Sequence, residues 1–272
     1  MAILHDSHMH SSFSGDSSTP MEDMVRSAIE KGLTSICMTE HLDMDYPVTK
    51  DTPLGYFDLD LEAYRTKVFS LRETFKNQIQ IRYGIELGLQ PHVNEMYADL
   101  VKGQPFDFVI GSSHLANQMD PYYATFYSGR DERACYREYF ESIYANLCTF
   151  SDFDSYGHLD YIVRYGPNRD EFYSYEQHKD IIDAILEKLI AMDKALEINT
   201  AAVKYKLRDL HPTTAILMRY KELGGTRVTI GSDAHKPEFV AHSFDIARDK
   251  LLSCGFNHYT VYENRTPILL PL

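Results

Sequence analysis

The chain has 272 residues, of which 44% are apolar and 25% charged, which is typical of a soluble globular protein and long enough for one large α/β domain. Its formal net charge of −13 disfavours general nucleic-acid binding, which needs a cationic surface, but it does not exclude a small anionic substrate. No apolar run approaches the roughly 20 residues of a membrane span, no signal peptide is evident, and the four cysteines form no Cys-x-x-Cys pair. We therefore expect a cytoplasmic protein that contacts no membrane.

Short apolar or β-branched runs alternate with amphipathic runs along the chain, which predicts strands that alternate with helices. The predicted strands cover residues 2–6, 35–39, 79–85, 108–112, 155–159, 195–199 and 227–231. The predicted helices cover residues 20–31, 91–102, 131–150, 175–193, 212–223 and 237–254, with another that starts at Asp58 and carries Leu61, Tyr64, Val68, Leu71 and Phe75 at helical spacing. A last extended segment covers residues 258–262.

Seven strand–helix units in succession predict parallel strands, because each helix supplies the crossover that a parallel pair needs. A closed or nearly closed barrel is the expected architecture, and an open doubly wound sheet is the alternative. No Gly-x-Gly-x-x-Gly follows the first strand, so the phosphate loop of a dinucleotide-binding fold is missing. We expect a single domain over residues 1–272.

Side chains that can bind metals follow most of these predicted strands at their C-terminal ends, where parallel barrels assemble active sites. His8 and His10 alternate on an extended segment and can point the same way. The full set is His8, His10, Asp16, His41, Glu86, His114, His158, Asp233 and His235. Nine ligands are too many for one ion but suit two or three, and clusters of divalent ions are typical of phosphate-ester cleavage. We expect surface or capping roles for the other histidines, with His5 a possible support for the site; they are His5, His92, His178, His211, His242 and His258.

These motifs, in their order and spacing, resemble the PHP family, named for polymerase and histidinol phosphatase, over the whole chain. The motifs are His8-Met-His10, Asp16, Glu40-His41, Gly84-Ile85-Glu86, Ser113-His114, Gly157-His158 and Ser232-Asp233-Ala234-His235. The resemblance implies a distorted seven-stranded (βα)7 parallel barrel with three divalent metal ions at the C-terminal ends of its strands. Within the family the chain looks most like the stand-alone histidinol-phosphate phosphatases, because of its length, Gly157-His158-Leu159-Asp160 with Arg164 following, and Glu197-Ile198-Asn199-Thr200.

By matching positions, the resemblance implies a ligand set for each ion. The first ion would use His8, His10, Glu86 and Asp233; the second would share Glu86 and add His114 and His158; the third would take Asp16, His41 and His235. Some relatives carry histidine in place of Asp16, and a carboxylate there favours harder ions such as Mn²⁺ or Fe²⁺. Zinc, manganese and iron are therefore all candidates.

The implied reaction is hydrolysis of L-histidinol phosphate to L-histidinol and phosphate, with attack by a metal-bridging hydroxide. Asp233 is the candidate to orient or deprotonate the water, and His235, Asp16 or a metal-bound water to protonate the leaving alkoxide. The candidate phosphate-binding cations are Arg164, which matches a family position, then Lys204, and as a weaker third Arg130. The oligomeric state stays open.

Two acids and one aromatic segment are candidates for contacts with the histidinol moiety. Asp43 or Asp160 could meet the ammonium group, although Asp160 could equally orient a ligand histidine. The segment 120–129 is rich in tyrosine and phenylalanine and could either cover an imidazole or pack against the loop 45–57.

Other activities remain as alternatives. The first is a nuclease or nucleotide phosphatase of the same family, although the charge argues against nucleic acid. The others are a protein tyrosine phosphatase of capsule systems, an amidohydrolase-type barrel, which would lack its expected lysine here, and a non-catalytic metal-binding protein.

Overall fold

The computed structural model describes residues 2–272 and contains a sheet in which every neighbouring pair of strands is parallel. The order of hydrogen-bonded strands is β1-β2-β4-β5-β6-β7-β8, and β3 also pairs with β4. The strands of this sheet are β1 (His5–Asp6), β2 (Ser35–Met38), β3 (His41–Leu42), β4 (Gln80–Gly88), β5 (Phe108–Ser112), β6 (Ser155–Tyr156), β7 (Ala195–Asn199) and β8 (Val228–Gly231).

Backbone hydrogen bonds between the first and last strands bring the sheet close to a closed barrel. The Ser7 N–H donates to the carbonyl of Ile230 at 3.0 Å. Further along, the N–H of Asp233 donates to the His8 carbonyl at 2.8 Å, and the N–H of His10 donates to the Ala234 carbonyl at 2.9 Å. These bonds confirm the nearly closed parallel barrel and exclude the open doubly wound sheet.

Helices connect the strands and bury one face each against the barrel, as predicted from their periodicity. On the second helix the buried residues are Tyr64, Val68, Leu71 and Phe75, and Asp60 caps its N-terminus by accepting a hydrogen bond from the Ala63 N–H at 3.0 Å. The helices are α1 (Met21–Glu30), α2 (Leu61–Phe75), α3 (Asn94–Gly103), α4 (Glu132–Thr149), α5 (Lys179–Ala191), α6 (Ala201–Lys204), α7 (Thr214–Glu222) and α8 (Phe244–Ser253). Within residues 2–272, none is long and apolar enough to cross a membrane.

Several predicted elements are shorter in the structure, and three of the differences affect the architecture. The first strand begins at His5 rather than at residue 2, and β6 ends at Tyr156, so His158 lies beyond it. The helix predicted over 237–254 is divided into a short 3₁₀ turn, Pro237–Phe239, and α8. The division occurs because Ala241 and Ser243 adopt positive φ angles of 52° and 59°, which a helix cannot contain.

A C-terminal antiparallel hairpin, β9 (His258–Glu263) and β10 (Thr266–Pro271), lies outside the barrel sheet, and only its first strand was predicted. The Leu272 N–H donates to the Asn257 carbonyl at 3.1 Å, so the backbone N–H groups of alternate residues, counted back from Leu272, point toward β9. Pro267 and Pro271 therefore lie at positions where the backbone nitrogen points away from β9. Because proline has no N–H, the outer edge of β10 is a poor template for another strand.

Gly84, on β4, lies where the barrel leaves no space for a side chain. A Cβ at this position would lie 2.6 Å from the Cys37 Sγ and 2.9 Å from the Phe108 carbonyl oxygen. We expect Gly84→Ala to lower the free energy of unfolding by about 1–3 kcal/mol because the core would be overpacked. The matched control is Gly103→Ala at the end of α3, where a Cβ would meet nothing within 4 Å and stability should change little. Equal losses for both variants in urea unfolding would contradict this account.

Candidate metal centre

All nine predicted ligands converge at the C-terminal end of the barrel. His8 and His10 follow β1, and Asp16 lies further along the loop between β1 and α1. His41 lies on β3 and Glu86 on β4. His114 follows β5, His158 follows β6, and Asp233 and His235 follow β8. Residues far apart in the chain therefore share one site because parallel strands end at the same side of the barrel.

The Glu86 carboxylate lies at the centre of this cluster and is fully buried. Its Oε2 atom is 3.1 Å from His8 Nε2, 3.5 Å from His10 Nε2 and 2.9 Å from His41 Nδ1. Its Oε1 atom is 3.3 Å from His114 Nε2 and 3.0 Å from His158 Nε2. Five imidazoles thus face the two oxygens of one side chain, which is the arrangement expected of a carboxylate that bridges metal ions.

Asp233 and Asp16 complete the cluster on the side of His10 and His235. The Asp233 Oδ1 atom is 3.5 Å from His10 Nε2 and 3.6 Å from His235 Nδ1. The Asp16 Oδ2 atom is 3.0 Å from His235 Nε2 and 3.6 Å from His41 Nε2. Asp16 is the most exposed of the nine side chains, at 37%, so this side is the open one.

Several ligand atoms of the cluster are buried and have no hydrogen-bond partner among residues 2–272. They are His8 Nε2, His10 Nε2, His41 Nδ1, Glu86 Oε2 and His235 Nε2. Buried polar atoms without partners are costly unless something else satisfies them. Four groups have ligand atoms within 4.8 Å of one another: His8–His10–Asp233, His8–Glu86–His158, His41–Glu86–His114 and His10–His41–His235. These residues fit divalent metal ions, with imidazole and carboxylate donors typical of zinc, iron and manganese.

The electrostatics of the metal-free cluster favour the metal-binding protonation state for Glu86 and His10, whereas nearby carboxylates raise the pKa of His8, His41, His114 and His235. Burial alone would raise the pKa of the Glu86 carboxyl, but the charges of His8, His41 and His114 outweigh it and hold that pKa well below its usual value. Burial lowers the pKa of His10 well below its usual value, and the neighbouring His41 and His235 add to this effect. A carboxylate and a neutral imidazole are the forms that coordinate a metal ion.

Buried residues behind the ligands hold several imidazoles in place. His8 Nδ1 is 2.6 Å from Glu197 Oε1, and His114 Nδ1 is 2.6 Å from Asp43 Oδ1. Ser14 Oγ lies 3.2 Å from His10 Nδ1 and donates to Glu40 at 2.6 Å. Neither Glu197 nor Ser14 was predicted to have such a role. Their only signal is position, because Glu197 lies on the sixth predicted strand and Ser14 four residues after His10.

The cluster opens into a cleft of about 250 Å³. Its lining combines acids, cations and aromatic rings: Asp16, His41, Asp43, Tyr46, Phe57, His114, Asp120, His158, Tyr161, Arg164, Tyr165, Lys204, Tyr205, Asp233 and His235. A cleft of this size matches a small ligand rather than a polymer.

Two of the three predicted phosphate-binding cations line this cleft, and the third does not. Arg164 stacks over the rings of Tyr161 and Tyr205, at 5.1 and 5.0 Å. Its Nη2 donates to Asp233 Oδ2 at 3.2 Å, and its buried Nε has no hydrogen-bond partner within the described residues. Lys204 stacks over Tyr205 at 5.2 Å. Arg130 pairs instead with Glu138 and donates to the Phe126 carbonyl at 3.0 Å, so its position does not support a role in substrate binding.

The two candidate acids for the ammonium group differ in position. Asp43 lines the cleft, and its Oδ2 has no hydrogen-bond partner among residues 2–272. Asp160 is fully buried, and its two oxygens bind His211 Nδ1 at 2.5 Å and the Thr213 N–H at 2.9 Å. Asp160 therefore orients His211, which is not one of the nine predicted ligands.

The aromatic segment 120–129 packs against the loop 45–57, which is one of the two roles predicted for it. The Tyr46 hydroxyl binds Asp120, and Thr49 Oγ1 is 3.3 Å from the Tyr123 hydroxyl. Asp120 also lines the cleft, whereas Phe126 is fully buried.

The predicted surface or capping roles are wrong for three histidines outside the cluster, because His5, His178 and His211 are all buried. His211 is 1% exposed, and its backbone pairs with that of Asn199. His178 precedes α5 but is 3% exposed and packs against Tyr136, Phe140 and Tyr173 instead of capping the helix with its side chain. His5 bonds to Ser35 at 2.7 Å at the opposite end of the barrel, so it does not support the site. His92 and His258 are exposed and His242 is half-buried.

Comparison with known proteins finds related sequences and a related structure. The model of the PHP domain matches residues 6–201. A histidinol-phosphatase of Lactococcus lactis is 33% identical over 94% of this chain and 93% of its own length. A Clostridium acetobutylicum protein named "Probable histidinol-phosphatase" is 32% identical over 93% of this chain and 94% of its own length. The crystal structure of the L. lactis histidinol phosphate phosphatase with zinc, L-histidinol and phosphate superimposes with a TM-score of 0.88 at 31% identity, covering 97% of this chain and 98% of that one.

The buried ligand cluster leads to a prediction about metal binding and stability. Adding zinc to the metal-free protein should raise its melting temperature, because each ion bound only by the folded state contributes about 2.7 kcal/mol at a hundredfold excess over its Kd. Glu86→Ala should lose most of this increase, since Glu86 faces five of the imidazoles. The control is His258→Ala, which removes an exposed histidine on β9. The measurement is thermal unfolding with elemental analysis; normal zinc content in Glu86→Ala would contradict the assignment.

Proposed function

The chain is a member of the PHP domain family, and we propose that it is a metal-dependent phosphatase that hydrolyses L-histidinol phosphate to L-histidinol and phosphate in histidine biosynthesis. The observation that carries the proposal is a largely buried cluster of nine side chains that can bind metals, which opens into a small cleft beside Arg164 and Lys204. The L. lactis relative, crystallised with zinc, L-histidinol and phosphate, supports this substrate.

Three divalent ions are proposed at the cluster. The first would be held by His8, His10, Glu86 and Asp233, the second by Glu86, His114 and His158, and the third by Asp16, His41 and His235. Zinc is favoured because imidazoles predominate, while the Asp16 carboxylate leaves room for manganese or iron at the third position. When bound, such ions would activate water at neutral pH and offset the charge of the phosphoryl group.

Arg164 is the proposed anchor of the phosphate group. The two aromatic rings and Asp233 hold its guanidinium in the cleft, which leaves the Nε donor available. Guanidinium groups suit phosphate because they offer several donors in a fixed plane. Lys204 is the second proposed cation, since it lines the same cleft and carries a mobile point charge.

Asp233 would orient the attacking water, because neighbouring side chains hold its carboxylate in place. The guanidinium of Arg164 and the amide of Asn199 hold its Oδ2, at 3.2 and 3.3 Å, while Oδ1 faces the imidazoles. Asp233 also has a positive φ of 52°, a backbone conformation that residues other than glycine seldom adopt. Asp16 and His235 form a pair at the open side of the cleft. Because a carboxylate and an imidazole that bind a metal ion carry no proton on the ligating atom, the proton for the leaving alkoxide would come from water held beside them.

The histidinol moiety would occupy the outer part of the cleft. Tyr161 and Tyr165 offer faces for an imidazole ring, and Asp43 and Asp120 offer carboxylates for its ammonium group. The small volume and net negative charge of the chain disfavour an oligonucleotide.

A substrate panel tests the proposal directly. The zinc-loaded protein should hydrolyse L-histidinol phosphate with a kcat/KM well above that for a nucleoside monophosphate, a short oligonucleotide or a tyrosine-phosphorylated peptide. Phosphate release is the measurement. Preference for any of the other three substrates would replace the proposed function with the corresponding alternative.

Arg164→Ala should lower kcat/KM for L-histidinol phosphate by about 10²-fold or more, because a buried charge-assisted contact contributes about 3 kcal/mol. Metal content should change little, since no predicted ligand is removed. The control is Arg137→Ala, which removes a half-buried arginine of α4 that pairs with Glu141 on the same helix and with Asp180 on α5, away from the cleft. Similar kinetics for Arg164→Ala and the unmodified chain would rule out the phosphate contact.

A further inference from the structure

We propose that Glu197 is a positioning residue that fixes the tautomer of His8 and thereby determines whether His8 can bind the first of the proposed metal ions. Glu197 lies on β7 and is 1% exposed, so it does not reach the cleft. The inference rests on the proposed metal binding, but it does not depend on which phosphate ester is the substrate.

Both oxygens of Glu197 are occupied as acceptors. Oε1 is 2.6 Å from His8 Nδ1. Oε2 accepts the backbone N–H of His158 at 2.7 Å and the side-chain amide of Asn199 at 3.2 Å. A carboxylate only accepts hydrogen bonds, so it requires a hydrogen on His8 Nδ1. In the neutral imidazole this leaves the lone pair on Nε2, the atom that faces Glu86 Oε2 at 3.1 Å.

The surrounding backbone leaves little space for the side chains of Glu197 and His8 to move. A Cβ on Gly231 would lie 2.5 Å from Glu197 Oε1 and 2.3 Å from the His8 Cβ, so β8 packs directly against the pair. The hydrogen bond to the His158 N–H also fixes the chain that carries a second ligand. One buried carboxylate therefore aligns a ligand of the first proposed ion, His8, and a ligand of the second, His158.

Glu197→Gln would preserve the shape of this side chain but reverse one of its hydrogen bonds. The backbone N–H of His158 can only donate, and Asn199 donates to the same oxygen, so the amide oxygen should take the Oε2 position. The NH₂ group would then face His8 Nδ1 and require it to accept. The hydrogen of the neutral ring would move to Nε2, which could no longer bind a metal ion.

Asp43 offers a matched contrast within the same site. Its Oδ1 lies 2.6 Å from His114 Nδ1, but its Oδ2 has no hydrogen-bond partner among residues 2–272. In Asp43→Asn the amide oxygen can remain opposite His114 while the NH₂ group takes the unoccupied side. The tautomer of His114 should therefore survive this substitution.

The test is zinc binding by the full chain, measured by competition with a chelator and by elemental analysis at fixed free zinc. Glu197→Gln should bind zinc roughly 10–100-fold more weakly, the usual effect of losing a partner behind a ligand histidine. Asp43→Asn should stay within a few-fold of the unmodified chain. Glu197→Asp, although shorter, should bind zinc more tightly than Glu197→Gln, because it still accepts on both oxygens.

The order of the variants separates positioning from packing. If Glu197 only fills space, the isosteric glutamine would be the milder change, and that order would overturn the proposal. So would unchanged zinc affinity in a Glu197→Gln protein that circular dichroism shows to be folded. If this variant does not fold, ¹⁵N NMR of the zinc-loaded unmodified chain decides: a hydrogen on His8 Nδ1 is expected, and one on Nε2 would refute the proposal.

Failure of the proposed function has a different signature. A chain that leaves L-histidinol phosphate intact but whose zinc affinity falls in Glu197→Gln would disprove the substrate and retain the positioning role. Normal hydrolysis by the unmodified chain, with zinc binding insensitive to Glu197→Gln, would support the substrate and disprove the positioning role.

Discussion

The buried carboxylate of Glu86 is the constraint on which the rest of the site depends. A fully buried carboxylate has to be compensated by opposite charge or by hydrogen bonds. Here five imidazoles from four segments of the chain lie within 3.5 Å of its two oxygens. Such convergence is possible only because the parallel strands all end at one side of a nearly closed barrel. Barrel closure and the candidate metal centre are therefore linked.

A second layer of buried polar groups fixes the orientation of the imidazoles in this cluster. Glu197 and Asp43 each face a ligand imidazole from behind, and Ser14 joins His10 to the buried Glu40. Asp6 binds the Ser232 hydroxyl and the Ala241 N–H from below the site, which connects the first strand to the segment that carries Asp233. Imidazoles supported in this way have few alternative orientations. The cost of burying so many polar groups is offset by the large apolar core that surrounds the barrel.

The sequence predicted the barrel and the convergence of the nine ligand residues, but several details escaped it. Their exact bonds did not follow from spacing: Asp160 contacts His211 rather than a predicted ligand, and Arg130 pairs with Glu138. The second strand of the C-terminal hairpin and the interruption before α8 were also missed. In the latter case a long-range bond from the Ala241 N–H to Asp6 accompanies a break in the helix that local propensity does not predict.

What the sequence determined by itself is the set of chemical groups and their order. Polar ligands at the ends of apolar strands have one compact arrangement, because side chains alternate along a strand and parallel strands share an end. Only the tertiary structure decided which oxygen meets which imidazole, which arginine reaches the cleft and which histidines are buried elsewhere. Those choices depend on distances of a few ångströms between segments far apart in the chain, and neither periodicity nor composition encodes such distances.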